Sequence, residues 1–252
     1  MLYLEHIYCG RFDYRISQNQ PETKIWLGGP EVSYHAEEML EQYPFLDGIM
    51  KGEGEITFRE LAVYYQNQEN GTEGKTLEEI HGITYRDAEG AIKSNPWRPV
   101  MDLSEVDFPY ANLKKFENRI IYYESSRGCP FSCSYCLSSI DKRLRFRNLD
   151  LVKKELAFFL EQKVPQVKFV DRTFNCKKDH AMAIWKFIAE HDNGVTNFHF
   201  EIAADLITEE ELELLNTLRP GWYSLRSAFS LRIRRRSRRS TGRWILEESQ
   251  RL

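Results

Sequence analysis

The sequence predicts an α/β protein made of two successive units, on three observations. Short apolar runs alternate with helix-spaced segments through residues 24–68, and the alternation returns through residues 119–220. Glycine-rich turns close the early runs at Gly28-Gly29-Pro30 and Gly52-Glu53-Gly54. No apolar run approaches the roughly eighteen residues a membrane span needs.

Lys24–Leu27 (KIWL) reads as a buried strand. Ser33–Gln42 places Ala36, Met39 and Leu40 on one helical face. Phe45–Met50 is a second apolar run, and Ile56–Gln66 is helical again through Phe58, Leu61, Ala62 and Tyr65. Strand, helix, strand, helix is the order of a parallel sheet. Residues 69–80 are polar and predict a loop. Gly82–Tyr85 and Ala91–Ser94 flank Asp87-Ala88-Glu89-Gly90 and predict a hairpin. Pro96, Pro99 and Pro109 favour extended chain, so residues 96–110 read as an ordered linker.

The second unit starts at Arg119. Ile120–Glu124 predicts a strand that runs straight into a cysteine-rich loop. Asn148 or Asp150 caps a helix to Lys163, with Val152, Leu156, Phe159 and Leu160 inward. Val167–Val170 and Phe198–Ala203 predict strands, and Asp179–His191 a helix between them. Thr208 caps a helix to Leu218, with Glu211 completing a capping box. Three βα units in a row predict right-handed parallel crossovers.

The chain has 252 residues, 42% hydrophobic and 29% charged, a globular balance. Five cysteines, three of them within eight residues, argue against a secreted disulfide framework. The start shows no basic region followed by an apolar run, so no secretory signal is read and a cytoplasmic location is expected. The net charge of −3 is uneven. The last 32 residues hold nine basic and two acidic side chains, leaving 26 basic and 36 acidic in the first 220. That acidic body is not drawn to phosphate backbones, so nucleic acid is not an expected partner, and with no spanning apolar run neither is a membrane.

The loop Glu124–Cys136 has the spacing C-x3-C-x2-C through Cys129, Cys133 and Cys136. Three thiolates fix three irons of a four-iron cube and leave the fourth open. Gly128 permits a sharp turn after the strand, and Tyr135 would supply an aromatic wall. Structural zinc, a redox Cys133/Cys136 pair and buried free thiols are the alternatives. Zinc usually takes four closed ligands, whereas no second CxxC pair appears and Cys176 sits alone on another βα loop.

LGGPEVSY, GEGE, FPY, SSRGCPFSCSYC and FVDRTFN occur in that order. Together they resemble the cobalamin-binding radical S-adenosylmethionine (radical SAM) family, in its branch with a C-terminal domain of unknown function. The resemblance covers residues 21–220. It implies a partial Rossmann-like, cobalamin-binding-like unit at 1–68, a hairpin and proline-rich linker at 69–118, and the first half of a radical SAM partial (β/α) barrel at 119–220. It also implies a 4Fe-4S cluster on the three cysteines. S-adenosylmethionine would be contacted by Tyr135, Asp171, Arg172, Thr173, Asn175 and Glu201, and an electron donor such as flavodoxin or ferredoxin would serve the cluster. Gly28, Gly29, Pro30, Gly52 and Glu53 match loops beside cobalamin. The family's D-x-H-x-x-G motif is absent, and neither His6 nor His35 sits in that pattern. The implied function is reductive cleavage of S-adenosylmethionine for radical chemistry such as methyl transfer on a small molecule. The rival is a zinc-binding or arginine-tail nucleic-acid module.

Both ends depart from this pattern. Residues from Trp222 show no strand or helix logic. Their codons read one base earlier allow LVQLEIGVQSTNPETFEAIDR, a strand, turn and helix start. Leu2–Ile7 shifted by one base allows YIWNI. The expectation is that both ends are out of frame, that 221–252 is a non-native tail, and that the product is a truncated barrel with weak stability and little turnover.

Overall fold

The computed structural model describes residues 2–4, 22–117, 119–133, 136, 138, 143–219, 223–227, 231–234 and 245–248. It divides into two units, residues 1–101 and 102–252, each built on its own sheet.

In the first unit, strands β1 (Leu2–Leu4), β2 (Ile25–Gly28), β3 (Gly48–Met50), β4 (Ile83–Arg86) and β5 (Ile92–Ser94) lie side by side in that order. The first three are parallel, β4 runs antiparallel to β3, and β5 returns antiparallel to β4 as the second arm of a hairpin. The predicted βαβα run is therefore present, extended by the hairpin. Helices α1 (Pro30–Ser33) and α2 (Ala36–Gln42) follow β2, and α3 (Gly54–Asn70) follows β3. The predicted single helix over 33–42 is thus two pieces. The Ser33 hydroxyl donates to the Gly29 carbonyl at 2.7 Å within α1, and Tyr34 and His35 separate the two helices. Leu2–Leu4, expected to be out of frame, nevertheless pairs in parallel with Ile25–Leu27.

Alternation along β2 serves two cores, since successive side chains point to opposite faces. Ile25 and Leu27 join Val32, Ala36 and Leu40 on one side. Trp26 joins Met50, Leu61 and Ile83 on the other and donates its indole N–H to Tyr65 at 2.9 Å. Gly48 lies against that indole: a Cβ there would meet the Trp26 ring at 2.3 Å.

In the second unit, β6 (Ile121–Tyr123), β9 (Gln166–Phe169), β10 (Asn197–Ile202) and β11 (Tyr223–Ser227) are parallel neighbours, and β12 (Leu231–Arg234) and β13 (Ile245–Glu248) extend the sheet antiparallel. The short strands β7 (Ser126–Arg127) and β8 (Arg145–Phe146) pair separately. Helices α4 (Leu149–Glu161), α5 (Lys178–Glu190) and α6 (Glu209–Thr217) are the crossovers. Asn148 caps α4, accepting from the Asp150 and Leu151 amides, and Thr208 with Glu211 forms the capping box of α6. Val152, Leu156, Phe159 and Leu160 are buried as the periodicity predicts. They pack with Phe169, Phe198, Phe200 and Trp185 beneath one sheet face.

Two regions differ from expectation. Tyr223–Ser227, read as lacking strand logic, aligns in parallel with Phe198–Ile202, with Leu225 buried and Ser224 exposed. Period-two spacing of Tyr223 and Leu225 suffices to add a strand to an existing sheet. Residues 102–116, read as linker, are part of the second unit. Phe108 and Tyr110 pack against Phe159 in tilted and edge-on contacts, and the Arg147 guanidinium donates to the carbonyls of Leu103 at 2.5 Å and Val106 at 2.9 Å. Aromatic side chains between the prolines give this segment apolar area to bury, which a free linker lacks.

Candidate functional site

The cysteine loop leaves the C-terminal end of β6. Its base is closed by the β7–β8 pair, in which Ser126 faces Phe146 and Arg127 faces Arg145. Gly128 turns the chain with φ +98°, and an added Cβ would lie 2.7 Å from the Arg143 carbonyl oxygen. Only glycine fits this turn without strain. Cys129 follows at once and is buried, while Cys133 and Cys136 are half-buried; none of the three is in a disulfide. The Cys136 amide donates to the Cys133 carbonyl at 3.1 Å, so these two share one turn. Among the described residues, no three His, Cys, Asp or Glu side chains converge as a metal-binding group. Tyr135 lies outside the described residues.

The segment after β9 supplies the loop's supports. Asp171 is buried. Its carboxylate accepts from the Ser125 amide at 3.1 Å, the Ser125 hydroxyl at 2.7 Å and the Ser126 hydroxyl at 2.5 Å. Burial pushes its carboxyl up to about 6, against the pull of those three donors, and the nearby Glu124 adds to the rise. His180, from the first turns of α5, is buried on the other side of Ser125, with Nε2 3.2 Å from the same hydroxyl and its ring 4.8 Å from Phe146. Burial, with Lys177 nearby, holds its imidazole down to about 4 and keeps it neutral at pH 7.

Thr173 is buried with Oγ1 3.6 Å from the Cys129 sulfur. Asn175 is committed to the backbone of the next strand end, donating to Ala203 O and accepting from Ala203 N, both at 2.9 Å. Arg172 is exposed. Glu201, on β10, faces away from the apolar core and pairs with Lys168 on the neighbouring β9 at 3.5 Å. Asp171, Thr173 and Asn175 therefore cluster around the loop's root, whereas Arg172 and Glu201 present charge outward. Cys176 ends the same segment, and burial together with Asp171 and Cys129 pushes its thiol up to about 11.

A second buried network stands behind β6. Glu155 accepts from Arg147 through both oxygens, at 2.9 and 2.5 Å, and from the Tyr123 hydroxyl at 2.6 Å. Arg147 Nε and Nη2 thus form a two-point fork on one carboxylate. Its amide also donates to Ser125 O at 2.9 Å, joining this network to the loop root. Ser125, Ser126, His180, Arg147 and Glu155 carried no motif of their own. The two serines sit inside the quoted cysteine segment, and nothing in the sequence singled them out.

In the first unit, the two glycine loops come together. Gly29 has φ +103° and Gly52 φ +75°, and the Ser33 hydroxyl that donates to Gly29 O also accepts from the Gly52 amide at 3.2 Å. Pro30 opens α1, Gly28 ends β2, and Glu53 accepts from the Met101 amide at 3.2 Å. Lys51 is buried and donates to Ser94 Oγ and Asn95 O, both at 2.9 Å; burial lowers its pKa. Tyr34 and Trp97 flank a cavity of about 240 Å³ beside it. His35 is exposed, and His6 lies outside the described residues.

The Radical SAM superfamily model matches residues 123–247. An uncharacterized methyltransferase of Pyrococcus horikoshii is 31% identical over 181 residues, covering 68% of this chain and 38% of that protein. The cobalamin-dependent radical SAM methyltransferase TokK of Streptomyces tokunonensis is 26% identical, covering 63% of this chain and 24% of that protein. This chain thus spans less than half the length of either relative. Among solved structures, the radical enzyme OxsB with aqua-cobalamin and S-adenosylmethionine bound superposes with a TM-score of 0.65 at 22% identity, covering 86% of this chain and 33% of that one. TsrM from Kitasatospora setae, a radical S-adenosylmethionine methyltransferase, superposes with a TM-score of 0.64 at 20% identity, covering 89% of this chain and 45% of that one. These two likenesses establish the shared fold.

Proposed function

We propose that this chain, which belongs to the radical SAM superfamily, acts in a radical S-adenosylmethionine methyl transfer, with Cys129, Cys133 and Cys136 as cluster ligands. The observation that carries the reading is the buried Cys129, set by Gly128 at the carboxyl end of the first barrel strand and met there by Thr173 from the next. The donor set fits an iron–sulfur cluster: three cysteine thiols on one loop, none of them in a disulfide, after a turn too tight to admit a Cβ. When bound, a four-iron cluster on three thiolates offers an open iron to S-adenosylmethionine and the electron that cleaves its sulfonium.

The chain's own residues orient and enclose that chemistry. Asp171 and His180 hold Ser125, and the β7–β8 pair closes the loop's base. Asp171 and Asn175 act by shaping strand ends, because their polar atoms are engaged internally. Arg172, exposed, and Glu201, turned away from the core and paired with Lys168, would meet S-adenosylmethionine at those ends, with Thr173 beside the cluster and Tyr135 on the loop. Gly28, Gly29, Pro30, Gly52 and Glu53 form the surface offered to cobalamin. The support for this is the positive φ of Gly29 and Gly52 and their link through Ser33, together with the cobalamin-dependent relatives. A flavodoxin or ferredoxin would supply the electron. Among the described residues, no helix is long and apolar enough to cross a membrane.

Anaerobic reconstitution with iron and sulfide tests the reading. The full chain should turn brown with about four irons, and adding S-adenosylmethionine should alter the spectrum of the reduced cluster. Serine at Cys129, Cys133 or Cys136 should abolish this colour. A colourless protein that instead takes one zinc would overturn the proposal.

A further inference from the structure

We propose that Thr173 donates a hydrogen bond to the Cys129 thiolate and thereby raises the reduction potential of the cluster held there. The inference rests on the cluster assignment above. Thr173 Oγ1 lies 3.6 Å from Cys129 Sγ, within reach for a sulfur acceptor. A thiolate bound to iron has no proton to give, so the hydroxyl is the donor. Both residues are buried, with Thr173 5% and Cys129 9% exposed, so bulk water does not compete for this contact.

The backbone gives Thr173 little room to turn away. Asp171 is tied to Ser125 and Ser126, Phe174 is enclosed by Phe169, Phe200 and Trp185, and Asn175 is bound to Ala203 at both ends of its amide. The Cys176 amide also donates to Thr173 O at 3.1 Å. Every side chain from 171 to 175 except Arg172 is buried, so the hydroxyl is carried on a fixed strut. One-electron reduction adds negative charge to the cluster and its thiolates. A fixed donor stabilises that state more than the oxidised one, and hydrogen bonds to cluster sulfurs are among the groups that set such potentials. Thr173 is on this account a positioning residue, acting through Cys129.

The test is a redox titration of the reconstituted full chain, followed by the spectrum of the reduced cluster. Thr173→Val keeps the shape and removes the hydroxyl, and Thr173→Ser restores it. At a fixed poise, Thr173→Val should lower the reduced-to-oxidised ratio about fivefold, the ratio that an average net hydrogen bond is worth; tenfold would be about 59 mV for one electron. Thr173→Ser should match the native protein. If Thr173→Val loses iron, Thr173→Ala makes the same comparison. An unshifted potential in the hydroxyl-free variants, or equal shifts in Val and Ser, overturns the proposal while leaving the cluster assignment standing. A native chain that assembles no cluster overturns both.

Discussion

Replacing Asp171 by Asn should uncover a pH dependence of stability that the native protein conceals. Asp171 and His180 are buried on either side of the Ser125 hydroxyl, at 2.7 and 3.2 Å. The Asp171 carboxyl is raised from 3.8 to about 6, chiefly by burial. Its folded form binds a proton more tightly than the unfolded chain does, so its contribution to stability falls as pH rises from about 4 to about 6. At 1.36 kcal/mol per pH unit this amounts to about 3 kcal/mol. His180 is lowered from 6.5 to about 4 by burial and Lys177. Its folded form binds a proton less tightly, so its contribution is lost as pH falls through the same window. That is about 3 kcal/mol before solvent screening and about 2 after it.

The two slopes oppose and nearly cancel. Urea unfolding of the full chain without iron, followed by circular dichroism from pH 4 to 6.5, separates them. Iron is left out because a ligand bound only to the folded state adds its own stabilisation. Relative to the native protein, Asp171→Asn should gain about 3 kcal/mol between pH 4 and 6, and His180→Gln should lose about 2 kcal/mol between pH 4 and 6.5. Differences of the same sign for both variants, or a flat difference for Asp171→Asn, would refute the reasoning.

Two further variants probe neighbouring features. Arg147→Met leaves Glu155 buried without its cation and should cost about 3–5 kcal/mol in urea unfolding, most of it recovered in Arg147→Met/Glu155→Leu; a single-variant loss under about 1 kcal/mol would show the pair to be dispensable. Gly128→Ala meets both φ +98° and a carbonyl oxygen at 2.7 Å. It should cost about 1–2 kcal/mol from the backbone conformation and speed iron release to a chelator, and release at the native rate would contradict the described turn.

Much of the fold was legible because it follows from local rules. The 3.6-residue spacing of Val152, Leu156 and Phe159, the caps at Asn148 and Thr208, and the hairpin around Asp87-Ala88-Glu89-Gly90 each depend on residues within a few positions of one another. The three cysteines were legible for the same reason, lying within one loop. Residues 102–116 were misread because prolines speak for extended chain, while the docking of Phe108 and Tyr110 on α4 depends on a helix some fifty residues later.

The inner wall of the loop was not legible. Asp171 reaches Ser125 across 46 residues and His180 reaches it across 55. Whether a carboxylate after a strand turns outward to a ligand or inward to hydroxyls depends on what the neighbouring strand end presents, and no periodicity encodes that. Local chemistry thus declared which residues could hold a cluster and which segments would be strand or helix. Only the packing of β6, β9 and β10 with α5 decided that Asp171 and Asn175 brace the site from behind, that Arg172 and Glu201 stay outward, and that Thr173 stands beside Cys129. Such pairings come from folding distant segments into one buried volume, where each polar group must find its partner.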